Sequence, residues 1–122
     1  MAKPPFDLEP RTLDFARNVR AFLKEIPQTE ANSNDRRQAA RSSGSVGANY
    51  REANDALGKA DLLMRLRIAR KEAKETSFWL QLVDVGPNES LHTARDRLVD
   101  ESEQLVRILS TIISRVMAPR RE

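Results

Sequence analysis

Cysteine is absent from the chain, which removes disulfides and thiolate chemistry together. The absence fits a reducing compartment and points to a cytoplasmic protein. Histidine occurs once, as His92. One imidazole cannot furnish the several Cys or His ligands of a zinc site, nor the two Glu-x-x-His steps of a di-iron bundle. Aromatic residues make up 5% of the chain, so a core must be assembled from Leu, Ile, Val and Ala. No run of about 18 apolar residues exists to span a membrane. The opening Met1-Ala2-Lys3-Pro4-Pro5-Phe6 lacks an apolar signal segment, which predicts no export. Glycine is missing outside positions 44–86, and no proline interrupts the 59 residues between Pro27 and Pro87. Alternating strand patterns are missing as well. These absences leave an all-α protein.

What is present suits that class. The 122 residues are enough for one domain with one core, and 39% hydrophobic with 32% charged residues suit a helical body with a solvated surface. Phe15, Val19, Phe22 and Ile26 predict a first helix from Arg11 to Ile26, ended by Pro27. A second helix is predicted over Ala31 to Ala56, with Gly58 as its left-handed terminator. The third is the clearest, from Lys59 to Val85. Its Leu62, Leu66, Ala69, Ala73, Thr76, Leu80 and Val83 alternate steps of 4 and 3 and form one narrow seam. Gly86-Pro87 stops it. A fourth helix starts at Asn88 or Ser90, uses Leu91, Ala94, Leu98, Leu105, Leu109, Ile112 and Val116, and closes at Pro119. Short connections force neighbours to oppose one another, which predicts an antiparallel up-down-up-down four-helix bundle as a single domain over residues 1–122. Residues 1–6 and 119–122 are expected to fray.

The second helix contains an unusual run, Ser42-Ser43-Gly44-Ser45-Val46-Gly47-Ala48-Asn49-Tyr50-Arg51-Glu52-Ala53. Glycine inside a helix costs about 0.8–1 kcal/mol relative to alanine. Close approach of a neighbouring helix, possible only past small side chains, is the expected offset. Two further apolar lines lie off the main seams, Met64, Ile68, Trp79 and Leu82 on the third helix and Val99, Val106, Ile113 and Met117 on the fourth. Burying these lines against further copies of the chain predicts a homo-oligomer.

Charge is unevenly spread. Net charge is +3 overall, yet residues 36–74 hold ten Lys/Arg against four Asp/Glu while residues 88–117 hold four against five. Arg67, Arg70, Lys71 and Lys74 fall roughly 100–200° from Ala69, and Arg36, Arg37, Arg41 and Arg51 add charge on the second helix. Such a surface could hold a phosphate backbone without reading sequence, and it could equally be a solvated face. Enzyme motifs are missing. No G-x-S-x-G elbow accompanies His92, and Gly44-Ser-Val-Gly47 is neither a P-loop nor, in a helix, a KH-type loop. Glu89 lies at a helix start, where it favours the dipole. Glu72, Glu75, Asp100, Glu101 and Glu103 are expected to pair with arginines. No metal or cofactor is expected.

The run Ser43-Gly-Ser-Val-Gly-Ala-Asn49-Tyr50-Arg51-Glu52-Ala53 resembles the signature of the 23S rRNA intervening-sequence proteins, a four-helix bundle family. The similarity extends through Lys59-Ala-Asp, Leu66-Arg-Ile-Ala-Arg-Lys-Glu-Ala73 and Glu75-Thr-Ser-Phe-Trp79-Leu80, and covers about residues 8–117. The chain departs from many relatives in carrying Leu62-Leu63-Met64 where an aromatic often stands. The resemblance implies a homopentameric ring and no enzymatic activity. It implies Gly44, Gly47, Asn49, Tyr50 and Glu52 as a structural signature, with Asn49 and Glu52 forming a polar pair in or near the bundle. It further implies kinship with the accessory variability determinant proteins of diversity-generating retroelements, which contact nucleic acid and a reverse transcriptase. Two functions follow as expectations. One is a scaffold binding RNA or DNA through Arg36, Arg37, Arg41, Arg67, Arg70, Lys71 and Lys74. The other is a protein adaptor, a reverse transcriptase being one candidate partner, anchored on Trp79 with Met64, Ile68 and Leu82.

Overall fold

Four helices account for nearly all of residues 7–119, the part of the chain that the computed structural model describes. They are α1 (Leu8–Glu25), α2 (Glu30–Asn54), α3 (Lys59–Leu82) and α4 (Glu89–Met117), with no strand among the described residues. Residues 1–6 and 120–122, where fraying was expected, lie outside this range. Residue Pro119 is described and exposed.

Capping chemistry sets the boundaries. Helix α1 starts before the predicted Arg11, because Asp7 accepts the Glu9 N–H at 2.9 Å and opens a turn. Pro10 then falls in the first turn, where its missing N–H would have had no helical partner. Thr29 caps α2 by accepting the Asn32 N–H, and Asn88 caps α4 by accepting the Ser90 N–H. Gly58 does not terminate α2. Helix α2 ends at Asn54, and Gly58 is the N-cap of α3 with φ −167°, ordinary extended backbone. Helix α3 ends at Leu82, short of the predicted Val85, because the Asp84 N–H goes to the side chain of Asn32.

Sequence neighbours pack against one another and α1 also meets α4, while the backbones of the diagonal pairs α1/α3 and α2/α4 stay more than 8 Å apart. Asn54, the last residue of α2, donates to Glu9 in the first turn of α1. Asn32, near the start of α2, reaches Asp84 just beyond α3. Arg70 of α3 donates to Ser110 of α4, and Arg11 of α1 to Glu101 of α4. The enclosed core contains Phe15, Val19, Val46, Leu66, Leu80, Leu105 and Leu109, none more than 2% exposed. The predicted α3 seam lies on the core, with Leu66, Ala69, Ala73, Thr76, Leu80 and Val83 buried and Leu62 packed partly against it.

The α4 lines are a correction. Ile113, assigned to a second surface, is 4% exposed and belongs to the core, and Val99 and Val106 are half-buried against it. Only Met117 of that line is exposed. Helix α4 touches both α1 and α3, so its apolar coverage must be wide.

Small residues let α2 approach both neighbours. Toward α3, the buried Ser42 hydroxyl donates to Thr76 Oγ1 at 2.7 Å, and Thr76 passes its own proton to the Glu72 carbonyl. Toward α1, a Cβ added at Gly47 would stand 2.8 Å from Thr12 Oγ1 and 3.2 Å from Thr12 Cβ. Gly44 differs, because its added Cβ would meet only the guanidinium of Arg20, at 3.3 Å from Nη2. That guanidinium ends a flexible, exposed side chain. Gly44→Ala should therefore leave stability unchanged or raise it by up to about 1 kcal/mol, the helix-propensity gain. Urea unfolding at fixed protein concentration checks this, and a loss above about 1 kcal/mol would contradict it.

Candidate nucleic-acid interface

The outward face of α3 carries Met64, Arg67, Lys71, Lys74, Phe78 and Leu82, which step by three or four residues and are all exposed. At this spacing they form a single stripe. Two sets that the sequence suggested as separate surfaces are thus interleaved, with three cations in the middle and apolar residues at both ends. Met64, Phe78 and Leu82 are 46%, 57% and 52% exposed, whereas Ile68 and Trp79 are half-buried. The exposed anchor is Phe78, which packs edge-on against Trp79 with ring centroids 5.0 Å apart. Adjacent aromatics on a helix point about 100° apart, so only one of them can face the core boundary.

The predicted phosphate contacts differ in how far their charge is spent. Arg41 is neutralised, donating to Glu72 at 3.1 Å and Glu75 at 3.0 Å. Glu72 is buried, which makes this arginine its counter-charge rather than a free cation. Arg70 is half-buried and leans on Ser110, and Arg67 reaches Met117 Sδ. Neither has a carboxylate within 4 Å among the described residues, and the same holds for Lys71 and Lys74. Arg36 and Arg37 do not join the α3 stripe. They lie between α1 and α2, where Arg36 donates to Gln28 Oε1 and Arg37 to Ser33 Oγ. Arg20 and Lys24 of α1 line the same groove and were missed, because a charge count along the chain dilutes them among Asp14, Glu25, Glu30 and Asp35.

The five signature residues divide by burial. Tyr50 and Gly47 are buried. Asn49 donates to the Ser45 carbonyl and accepts weakly from Arg65, while Glu52 is exposed, and the two do not bond one another. Elsewhere, Arg11 makes a two-pronged contact with Glu101 at 2.8 Å for each prong and also reaches Gln104. The hydrogen bond to Glu101 holds the Arg11 guanidinium above its usual range, its charge adding to the effect and partial burial opposing it.

His92 serves a loop. Its Nε2 lies 2.8 Å from the Gly86 carbonyl and its Nδ1 lies 3.3 Å from Arg95 Nη2, so both ring nitrogens are engaged locally. Among the described residues no cluster of three His, Asp or Glu is placed to hold a metal, and no helix is long and apolar enough to cross a membrane.

Both a solved structure and a family model are similar to this chain. A crystal structure from Bacteroides thetaiotaomicron VPI-5482, of a protein with unknown function from the S23 ribosomal protein family, superposes with a TM-score of 0.75. Its sequence is 29% identical, and the alignment covers 88% of this chain and 98% of that one. No curated protein matches the chain. The model of the 23S rRNA-intervening sequence protein family matches residues 8–111, which spans all of α1 to α3 and most of α4. On that match, the chain belongs to the 23S rRNA-intervening sequence protein family.

Proposed function

We propose that this protein is a non-enzymatic, self-assembling helical scaffold that binds nucleic acid through basic surfaces without reading its sequence. The observation that carries this is the centre of the α3 stripe, where Arg67, Lys71 and Lys74 stand exposed with no carboxylate within 4 Å among the described residues. Cations that are not spent on internal pairs are free to displace counterions from a phosphate backbone. The helices alternate in direction, a topology supported by the pairing of chain ends described above. Copies assemble into a ring of five, which the family resemblance implies. A ring multiplies weak contacts by its subunit number.

Binding to a structured RNA and to a DNA duplex, measured at about 50 and 200 mM salt on material sized by light scattering, tests the proposal. Affinity should fall steeply with salt and depend little on sequence. Arg67→Glu with Lys71→Glu should weaken binding to every sequence alike and flatten the salt slope by about one unit per lost phosphate contact. Unchanged affinity in that variant would remove the α3 stripe from the interface.

The same stripe favours one alternative, an adaptor for another polypeptide. Phe78 is its natural anchor, since an exposed aromatic flanked by Leu82 can fill a partner's pocket. A partner recovered after nuclease treatment, and lost with Phe78→Ala, would favour the adaptor.

A further inference from the structure

We propose that the groove between the C-terminal half of α1 and the N-terminal half of α2 is a phosphate-binding site. It is distinct from the α3 stripe, because no α3 residue lines it. The groove is open to solvent, measures about 430 Å³ and is lined by Arg20, Lys24, Arg36 and Arg37, with Gln28 and Ser33 as neutral polar neighbours. No carboxylate lines it. The depression around Arg95 differs, being lined by Asp96, Asp100 and Glu103 as well, and the one at Arg115 holds a single cation.

Four like charges from two helices repel one another, and the chain leaves them that way. Arg11, Arg41, Arg51, Arg65 and Arg95 each have a carboxylate within 4 Å, whereas none of the four groove cations has one among the described residues. Arg36 is the most telling. One end of its guanidinium donates to Gln28, yet its Nε–H is buried without an acceptor. A buried donor of a charged group left unpaired is costly, and a turn of the Arg36 side chain that brings Nε–H to an oxyanion in the groove would remove that cost. The groove is also pre-arranged. Arg37 donates to Ser33 Oγ at 2.9 Å, which leaves the Ser33 hydroxyl proton free to donate to a ligand. Arg20 lies across Gly44, where any side chain on α2 would press its guanidinium away. Gly44 of the signature thereby acquires a use that helix packing does not give it. Guanidinium groups match phosphate oxygens in geometry as well as charge, so a phosphate group is the ligand chemistry this set recognises.

The phosphate could belong to a nucleic-acid strand or to a free phosphorylated molecule, and one experiment separates the two. Pyrophosphate and a single-stranded RNA are each titrated into the full chain and two charge-matched variants, one carrying Arg20→Gln and Lys24→Gln, the other Lys71→Gln and Lys74→Gln. All four positions are exposed, so the fold is retained. Pyrophosphate affinity should drop at least about tenfold in the groove variant and hold within about twofold in the α3 variant. If RNA affinity falls in the groove variant as well, a strand supplies the phosphate. If RNA affinity holds, or RNA does not bind at all, the ligand is a free phosphate compound, and the outcome for the α3 stripe is decided separately. Equal losses of pyrophosphate affinity in both variants, or no loss in the groove variant, would overturn the site.

Discussion

Asn32→Leu is expected to lower the unfolding free energy by about 3 kcal/mol, among the largest effects of any single polar substitution in this chain. Asn32 is 1% exposed at the end of the bundle where the α1–α2 and α3–α4 connections meet. Both of its amide protons are used, on the Pro27 carbonyl at 2.9 Å and the Asp84 carbonyl at 2.8 Å. Its oxygen accepts the Asp84 N–H at 2.9 Å. One side chain therefore closes three main-chain groups from two connections, and leucine leaves all three without partners while keeping the same number of side-chain heavy atoms. Denaturant unfolding at fixed protein concentration reads the loss. A change below about 1 kcal/mol would mean that solvent satisfies those groups as well as the amide does. Asn32→Asp is the sharper control. It keeps the shape but aims a carboxylate oxygen at two carbonyls, which disfavours the charged form and raises its folded-state pKa. A raised carboxyl pKa means the native state binds the proton more tightly than the unfolded chain does. This variant should accordingly be most stable at low pH and lose stability as pH rises, unlike Asn32→Leu.

Asn32 also marks where a one-dimensional pattern stops being informative. The α3 seam was legible because its period is local: Leu66, Ala69, Ala73 and Leu80 announce one buried face however the rest of the chain folds. Asn32 sits in an ordinary polar stretch, and its partner Asp84 lies 52 residues away. Nothing in the intervening composition points to the contact. The basic groove was invisible for the same reason. Arg20 and Lys24 are separated from Arg36 and Arg37 by a helix end and a connection, and only the packing of α1 on α2 brings them together. Overreading had a physical cause too. Ile113 and Val106 looked like a second surface on α4 because a helix with two neighbours needs two apolar flanks, and a count of stripes cannot tell a neighbour within the chain from one outside it. Gly58 followed the usual preference of helix ends for glycine, yet its backbone is extended, and Asp55 closes α2 instead.

The α3 stripe sets a constraint that pattern alone did not raise. Phe78 and Leu82 sit one and two turns from Lys74 on the same exposed line, so a partner that covers the apolar residues also desolvates the cations beside them. A ring interface over the whole stripe and a nucleic-acid surface at its centre are therefore competing uses. The groove between α1 and α2 has no such conflict, having one partly exposed apolar edge, at Ala40, and four cations.

Gly47→Ala carries the second large effect, and its sign is the test of why the signature run exists. Alanine gains about 0.8–1 kcal/mol of helix propensity over glycine, so on local grounds the substitution stabilises α2. Against this stands Thr12, 1% exposed, with its Oγ1 only 2.8 Å from the added methyl and its Cβ at 3.2 Å. Thr12 cannot swing aside cheaply. It is β-branched, and its hydroxyl donates to the Leu8 carbonyl at 2.7 Å within α1. The methyl must then push α1 away from α2 along a packed interface, an overpacking cost of about 1–3 kcal/mol that interlocked cores do not relax. Repulsion should win, for a net loss of about 1 kcal/mol where Gly44→Ala shows none. Thr12→Ala removes the nearest atom, so the penalty of Gly47→Ala should shrink by about 1 kcal/mol in that background, a coupling that a double-mutant cycle measures directly. Additive effects, or a stabilised single variant, would show that α1 and α2 have room between them and that the glycine serves something other than their contact.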